Sequence, residues 1–254
     1  MISRLRIAFP AVLLLASVAM AAEDMKPEAV LDKFVEATGG RAAYEKITTE
    51  MATGTVEVMG MSGALTSYRA APNKSYTLVD FSAGPGKFEE GTDGEVAWAV
   101  DAMQGARIKE GDERAAALRS SALNMETHWR DFYKKAELAG SEDVGGKPCY
   151  KLLLTPNTGA AETRYYDKSS SLLVKVILPI TTPQGDVTAE VAMSDYRDEG
   201  GILTAHTIDQ KLPTAEIVVK IQTVKHNADI PAGRFDLPAE IKALVKKPDS
   251  AEKK

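Results

Sequence analysis

Hydrophobic and polar residues alternate through much of the chain between residues 145 and 226. The alternating apolar positions include Val187, Ala189, Val191, Met193, Ile217, Val219 and Ile221. A period of two places one face of a strand against apolar material and the other in water. Short turns with Gly, Pro or Asn separate these segments, and such turns join only antiparallel neighbours. The pattern therefore predicts a large antiparallel meander.

Similar patterns predict further strands on both sides of the chain's midpoint. The predicted segments are residues 53–59, 64–71, 75–81, 88–91, 95–100, 149–155, 162–167 and 172–178. Two helices precede them, at residues 27–38 and 41–47, and a helical turn is predicted at 240–245. The first helix has Pro27 in its first turn and one apolar stripe of Val30, Leu31, Phe34 and Val35.

Residues 112–135 contain no Gly or Pro and are rich in Ala, Leu, Arg and Glu, which predicts one or two helices between the strand blocks. Spacings of seven, four and three residues place four apolar side chains on one helical stripe. These are Leu118, Met125, Trp129 and Phe132, and Arg119, Glu126 and Arg130 lie largely outside the stripe. We expect this segment to lie across the sheet as a lid.

Together these elements predict an α+β fold that is mostly antiparallel β. The sheet is expected to be large and curved, an incomplete barrel capped by helices. No Pro/Ser/Gly-rich linker divides the chain, so residues 22–245 are predicted to form one domain. The charged residues 246–254 are expected to be a disordered tail.

The N-terminus has the anatomy of a secretory signal peptide over residues 1–21. Arg4 and Arg6 precede a short apolar run, and Ala19-Met20-Ala21 fits a cleavage site with small residues. An uncleaved membrane anchor is the alternative, although the run is shorter than a span of about 20 residues. Cys149 is the only cysteine, so no internal disulfide is possible, and it is expected to be an inert residue inside a strand. Secretion without disulfides favours a bacterial periplasm.

Charge and motifs exclude several functions. The net charge is −5, and cleavage would make it more negative, which disfavours nucleic-acid binding. His128, His206 and His226 lack metal-ligand spacing, and no nucleophile elbow or dinucleotide motif occurs. We therefore expect no catalytic residue, no metal and no cofactor.

Turn and packing residues across most of the chain resemble the superfamily of bacterial outer-membrane lipoprotein-sorting proteins, which are periplasmic carriers. The matching features are Thr38-Gly39-Gly40 after the first helix, the Gly91-Thr92-Asp93-Gly94 turn with Trp98 beyond it, Gly145-Gly146-Lys147-Pro148-Cys149-Tyr150, Tyr165-Tyr166-Asp167 before Leu172-Leu173, Asn227, and Phe235-Asp236-Leu237-Pro238. The resemblance covers residues 26–240 and implies an incomplete antiparallel barrel whose apolar concave side receives acyl chains.

The aromatic residues are the candidate lining of such a cavity, although they would equally serve to pack helix on sheet. The predicted apolar site comprises Trp98, Leu118, Met125, Trp129, Phe132 and Tyr165. The function favoured is a non-catalytic periplasmic carrier or sensor of lipid or lipoprotein acyl chains, with a membrane donor and acceptor as partners. The alternatives are a secreted hydrolase using acidic residues and an envelope scaffold with a filled core. The sequence leaves the oligomeric state open.

Overall fold

The structure is a computed structural model, and it describes residues 25–82, 84–182 and 185–246. The predicted signal peptide and all but one residue of the predicted tail lie outside these described residues. Within them, one antiparallel sheet of 13 strands forms most of the molecule, accompanied by a few helices. The predicted fold class, a large antiparallel sheet that is an incomplete barrel with helices, is confirmed.

The strands follow one another in short hairpins along most of the chain. Their bounds are β1 Thr49–Val58, β2 Met61–Ala70, β3 Lys74–Phe81, β4 Gly86–Thr92, β5 Ala97–Asp101, β6 Gly105–Ile108, β7 Tyr133–Val144, β8 Lys147–Pro156, β9 Glu162–Asp167, β10 Leu173–Thr182, β11 Gly185–Asp198, β12 Leu203–Leu212 and β13 Ala215–His226.

Strand order explains why the barrel is incomplete. The order is β6-β5-β4-β3-β2-β1-β13-β12-β11-β10-β9-β8-β7, so two meanders meet at the pairing of β1 with β13. The free edges are β6 and β7, and residues 109–132 connect them. The pairing of β1 with β13 has a register shift after Thr53. At this point a Cβ atom on Gly54 would collide with the carbonyl oxygen of Lys220. Only glycine permits that close approach of the two backbones.

The helices are short and cover parts of the sheet. They are α1 Pro27–Ala37, α2 Arg41–Tyr44, α3 Gly111–Ser121, a 3₁₀ turn Met125–His128, α4 Trp129–Phe132 and α5 Ala239–Val245. The predicted stripe of α1 is buried. Its Val30, Leu31 and Phe34 belong to the largest core cluster, together with residues of β8, β9 and β10. Another apolar cluster has its buried residues in β1, β2 and β3, with Ile217, Val219 and Ile221 of β13 packed against it.

The predicted helical segment 112–135 is partly wrong. The helix ends at Ser121 because Ala122 is extended, and Asn124 then adopts a left-handed conformation with φ 62°. The backbone N–H of Leu123 donates instead to the Pro72 carbonyl. Tyr133 already begins β7, where it pairs with Pro156. Tertiary hydrogen bonds thus override a helical composition, and the four predicted stripe residues do not share one helix.

Candidate functional site

A cavity of about 460 Å³ lies between α3 and one face of the sheet at β9, β10 and β11. Ala116 and Ala117 of α3 form part of its wall. Such a volume falls in the range of about 300–1,000 Å³ that is usual for small-molecule sites. The segment that connects the edge strands β6 and β7 therefore supplies a covering helix, α3, with a space beneath it.

One row of neighbouring side chains forms the floor of this cavity. Arg164 of β9 pairs with Val176 of β10, and Val176 pairs with Val191 of β11, so these side chains lie side by side on one face. The rest of the apolar lining comprises Leu173, Leu178, Pro179, Ile180, Met193, Met125, Ala116, Ala117 and Ala160. The floor therefore leads from a charged group at β9 onto an apolar surface at β10 and β11.

A buried ionic cluster stands at the β9 end of the floor. Glu162 is 5% exposed, and its Oε1 accepts hydrogen bonds from the Tyr133 hydroxyl at 2.8 Å and from Arg164 Nε at 2.7 Å. The Arg164 guanidinium also donates to the Tyr133 hydroxyl at 2.6 Å. The Nη2 atom of Arg119 lies 3.9 Å from Glu162 Oε2, outside hydrogen-bond distance. We call these four residues the arginine cluster.

Tyr133 is the centre of the arginine cluster. The guanidinium carbons of Arg164 and Arg119 lie 5.2 Å and 5.6 Å from its ring centroid, which is cation–π distance. Burial raises the pKa of Tyr133, so its hydroxyl remains a donor to Glu162. The carboxylate of Glu162 balances one guanidinium and leaves a second beside the cavity.

Other charges of the cavity wall are paired or exposed to solvent. Lys109 lies 2.6 Å from Glu90, and Glu113 lies 2.8 Å from Arg107. Asp112 and Asp186 are exposed, and Glu126 is half-buried. The negative charges of this rim are therefore mostly screened by water or by a paired base.

Only part of the predicted apolar site meets at this cavity. Met125 lines it, whereas Trp129 and Phe132 pack within the core cluster around α1. Leu118 is half-buried on α3 outside the cavity wall. Ligand binding by these residues stays a prediction.

The remaining two predicted residues, Trp98 and Tyr165, do not line the cavity. Trp98 is buried in β5, with its ring centroid 6.2 Å from that of Tyr76. Tyr165 is directly flanked by Lys151 and Lys175 in the neighbouring strands, and alternation places it on the face opposite Arg164. Both lysine ammonium groups lie within 6 Å of its ring, at 5.6 Å and 5.7 Å. Packing against these neighbouring side chains explains why Trp98 and Tyr165 are buried.

Sequence reasoning missed the arginine cluster. It placed Arg119 outside the inward stripe, because it assumed one continuous helix. A usable signal existed in β9, where Glu162 and Arg164 are two residues apart and therefore share a strand face. An acid and a base on the cavity face of a half-buried strand indicate an ion pair.

The cysteine and the histidines lie apart from this cavity. Cys149 is fully buried, and burial raises the pKa of its thiol. His206 is buried with Nε2 2.8 Å from Glu199, and His226 has Nε2 3.3 Å from Glu50. In residues 25–82, 84–182 and 185–246, no group of three or more His, Cys, Asp or Glu side chains could hold a metal ion. None of the helices described there is long and apolar enough to cross a bilayer.

Comparison with solved structures identifies the fold. A DUF1329 family protein from Desulfovibrio piger matches with a TM-score of 0.56 and 16% identity, over 84% of this chain and 98% of that one. A domain described as an outer membrane lipoprotein-sorting protein, from Vibrio parahaemolyticus, matches with a TM-score of 0.57 and 12% identity, over 87% and 100%. A LolA superfamily protein from Nitrosomonas europaea gives 0.56 and 12%, over 84% and 98%.

These similarities confirm, for the fold, the resemblance that the sequence indicated. The matches extend over almost the full length of the three matched chains, so the similarity concerns the overall fold and not a local motif. No family model matches the chain, and no curated protein is similar to it in sequence.

Proposed function

We propose that this protein is a non-catalytic periplasmic carrier or sensor of an apolar ligand, namely the acyl chain of a lipid or lipoprotein. The observation that carries the proposal is the cavity of about 460 Å³ with an apolar floor beneath α3. Each methylene moved from water into such a site is worth about 0.8 kcal/mol, so a chain of many carbons is held without any catalytic group.

The shared architecture supports the proposal. One of the structures with this fold is described as a lipoprotein-sorting domain, and another as a LolA superfamily protein. An acyl chain cannot cross an aqueous compartment unprotected, so a carrier must take it from one membrane-bound donor and yield it to an acceptor. Export by the signal peptide predicted at residues 1–21 would place the protein in that compartment.

Two features of the cavity favour the carrier over its two alternatives. A hydrolase using acidic residues requires two carboxylates free to exchange protons. Glu162, the buried carboxylate of the cavity wall, is instead held by Arg164 and Tyr133. A scaffold with a filled core would leave no space beneath α3.

Two adjacent residues of β11 provide a matched test. Val191 lines the cavity, whereas Ala192 is exposed on the opposite face of the strand. Protein purified natively should release lipid into organic solvent, detected by mass spectrometry, and should bind a fluorescent fatty acid. Val191→Phe should lose most of both signals, and Ala192→Phe should retain them. Absence of lipid and of probe binding in the native protein would refute the carrier proposal.

A further inference from the structure

We propose that the ligand has a single apolar chain with an anionic headgroup, and that Arg119 binds the headgroup. This inference rests on the proposed function and names the chemical class of its ligand. The chain would lie along β10 and β11, and the carboxylate or phosphate of the headgroup would sit beside the arginine cluster.

Charge counting within the arginine cluster motivates this assignment. Arg164 and Glu162 neutralise each other, because Arg164 Nε donates to Glu162 Oε1 at 2.7 Å and Arg164 Nη2 lies 2.6 Å from the same oxygen. Arg119 adds a second positive charge, and its side chain is only 14% exposed. A charge with so little access to water is costly unless an opposite charge accompanies it.

Within the described residues, the recorded contacts of Arg119 leave hydrogen-bonding capacity unused. Its Nη2 is 3.9 Å from Glu162, and its Nη1 donates a long bond of 3.4 Å to the Thr158 carbonyl. A guanidinium carries five N–H donors and matches carboxylate or phosphate geometry with two parallel bonds. Arg119 lines the cavity, so an anionic group there could occupy those donors.

The position of the arginine cluster relative to the floor limits the ligand's shape. The row from Arg164 through Val176 to Val191 becomes apolar after one strand, and Leu178 and Met193 extend that surface. A charged end at β9 and an apolar end at β11 match an amphiphile. The volume of about 460 Å³ suits one chain rather than the bundle of chains on a lipoprotein anchor.

Negative charges in the wall make the opposite headgroup the competing hypothesis. Asp112 and Asp186 are exposed and Glu113 is paired with Arg107, which leaves the half-buried Glu126 as the main competitor. A cationic amphiphile would be attracted by Glu126 and repelled by Arg119. The test must therefore include an amine.

The experiment measures dissociation constants of the full-length mature protein for four probes with one 18-carbon chain. The probes are oleate, oleoyl lysophosphatidate, oleyl alcohol and oleylamine. Oleate or the lysophosphatidate should bind more tightly than the alcohol, and comparison of these two distinguishes a carboxylate from a phosphate headgroup. Arg119→Met should weaken the preferred anion by about tenfold or more, as loss of a charge-assisted bond does, and leave the alcohol nearly unchanged.

Arg114→Met is the matched control. Arg114 lies on the same helix but is exposed, and it donates to the Glu95 carbonyl away from the cavity wall. The Arg114→Met variant should retain the preference for the anion. Equal losses of anion affinity in Arg114→Met and Arg119→Met would indicate a general disturbance of α3 and not a role of Arg119 in binding. Equal affinities for anion and alcohol, or tightest binding of oleylamine, would overturn the headgroup assignment while leaving the carrier proposal intact. Failure of all four probes to bind would overturn the single-chain assignment, and it would refute the carrier proposal itself if the natively purified protein also releases no lipid.

Discussion

Replacing Glu162 by Leu should be among the most destabilising single changes in this protein. Glu162 Oε1 accepts hydrogen bonds from Tyr133 and Arg164, and Nη2 of Arg119 lies 3.9 Å from Glu162 Oε2. The substitution would leave two nearly buried guanidinium groups around one tyrosine ring with no carboxylate. Removing one partner of a buried ion pair costs about 3–5 kcal/mol.

The size of the effect can be checked with a second substitution. Arg164→Met in the Glu162→Leu background removes the uncompensated charge and fills the site with apolar atoms, which is often neutral for a buried pair. The double variant should therefore recover much of the loss. A remainder of about 1–3 kcal/mol is expected, because the Tyr133 hydroxyl still lacks its acceptor.

Urea unfolding followed by circular dichroism measures these free energies. The melting temperature of Glu162→Leu should fall by roughly 6–20 °C, at about 2–4 °C for each kcal/mol in a protein of this size. Glu137→Leu is the control, because Glu137 pairs with Lys135 at 2.8 Å but is 43% exposed. Such surface pairs contribute only about 0–1 kcal/mol. Equal, small losses in Glu162→Leu and Glu137→Leu would refute the view that a buried ionic cluster supports this wall.

Three further predictions concern residues outside the arginine cluster. Trp129→Ala should cost about 3–5 kcal/mol of unfolding free energy, as large core truncations do, with little loss of ligand affinity in the folded fraction; a larger effect on affinity than on stability would place Trp129 at the ligand instead. Cys149 should react with a thiol reagent only on unfolding, and rapid labelling of native protein would contradict its full burial. The hydrogen bond to Glu50 raises the pKa of His226 above its ordinary 6.5, so this pair stabilises the fold fully below that pH and less as pH rises through the folded pKa. The unfolding free energy of the wild type should therefore fall over that interval. The fall should be less steep in His226→Gln, and in the control His128→Gln, which changes an exposed residue, it should be as steep as in the wild type.

Much of the sheet was predictable because its apolar and polar positions alternate. Val187 to Met193 and Ile217 to Ile221 alternate in the sequence, and they lie in β11 and β13. The strand β7 was missed because most of its residues are exposed or half-buried. Its sequence, YKKAELAGSEDV, therefore shows no apolar face, and its pairing with β8 holds it in place. Strands without a buried face leave no period-2 signal to read.

The site was less predictable because it depends on where a helix ends. Counting a continuous helix from Leu118 to Phe132 placed Arg119 on the outer side. The extended backbone of Ala122 and the left-handed Asn124 interrupt that helix, so later residues do not follow its phase. The interruption is fixed by partners distant in sequence, including the Pro72 carbonyl, which accepts from Leu123. The amino-acid composition of residues 112–135 does not indicate hydrogen-bond partners that are distant in sequence.

The cavity itself follows from how α3 is held and from which side chains it carries. Arg69 of β2 donates to the carbonyls of Ser120 and Ala122, and Ser121 Oγ donates to the Asn73 carbonyl, so the end of the helix is tied to the first meander. The facing wall of the cavity belongs to β9, β10 and β11 of the second meander. Arg119 of the same helix reaches Thr158 and Glu162 in the second meander, but the methyl groups of Ala116 and Ala117 are too short to fill the space between them. The open space is therefore a consequence of small residues on an anchored helix, and larger apolar residues there would be expected to close it.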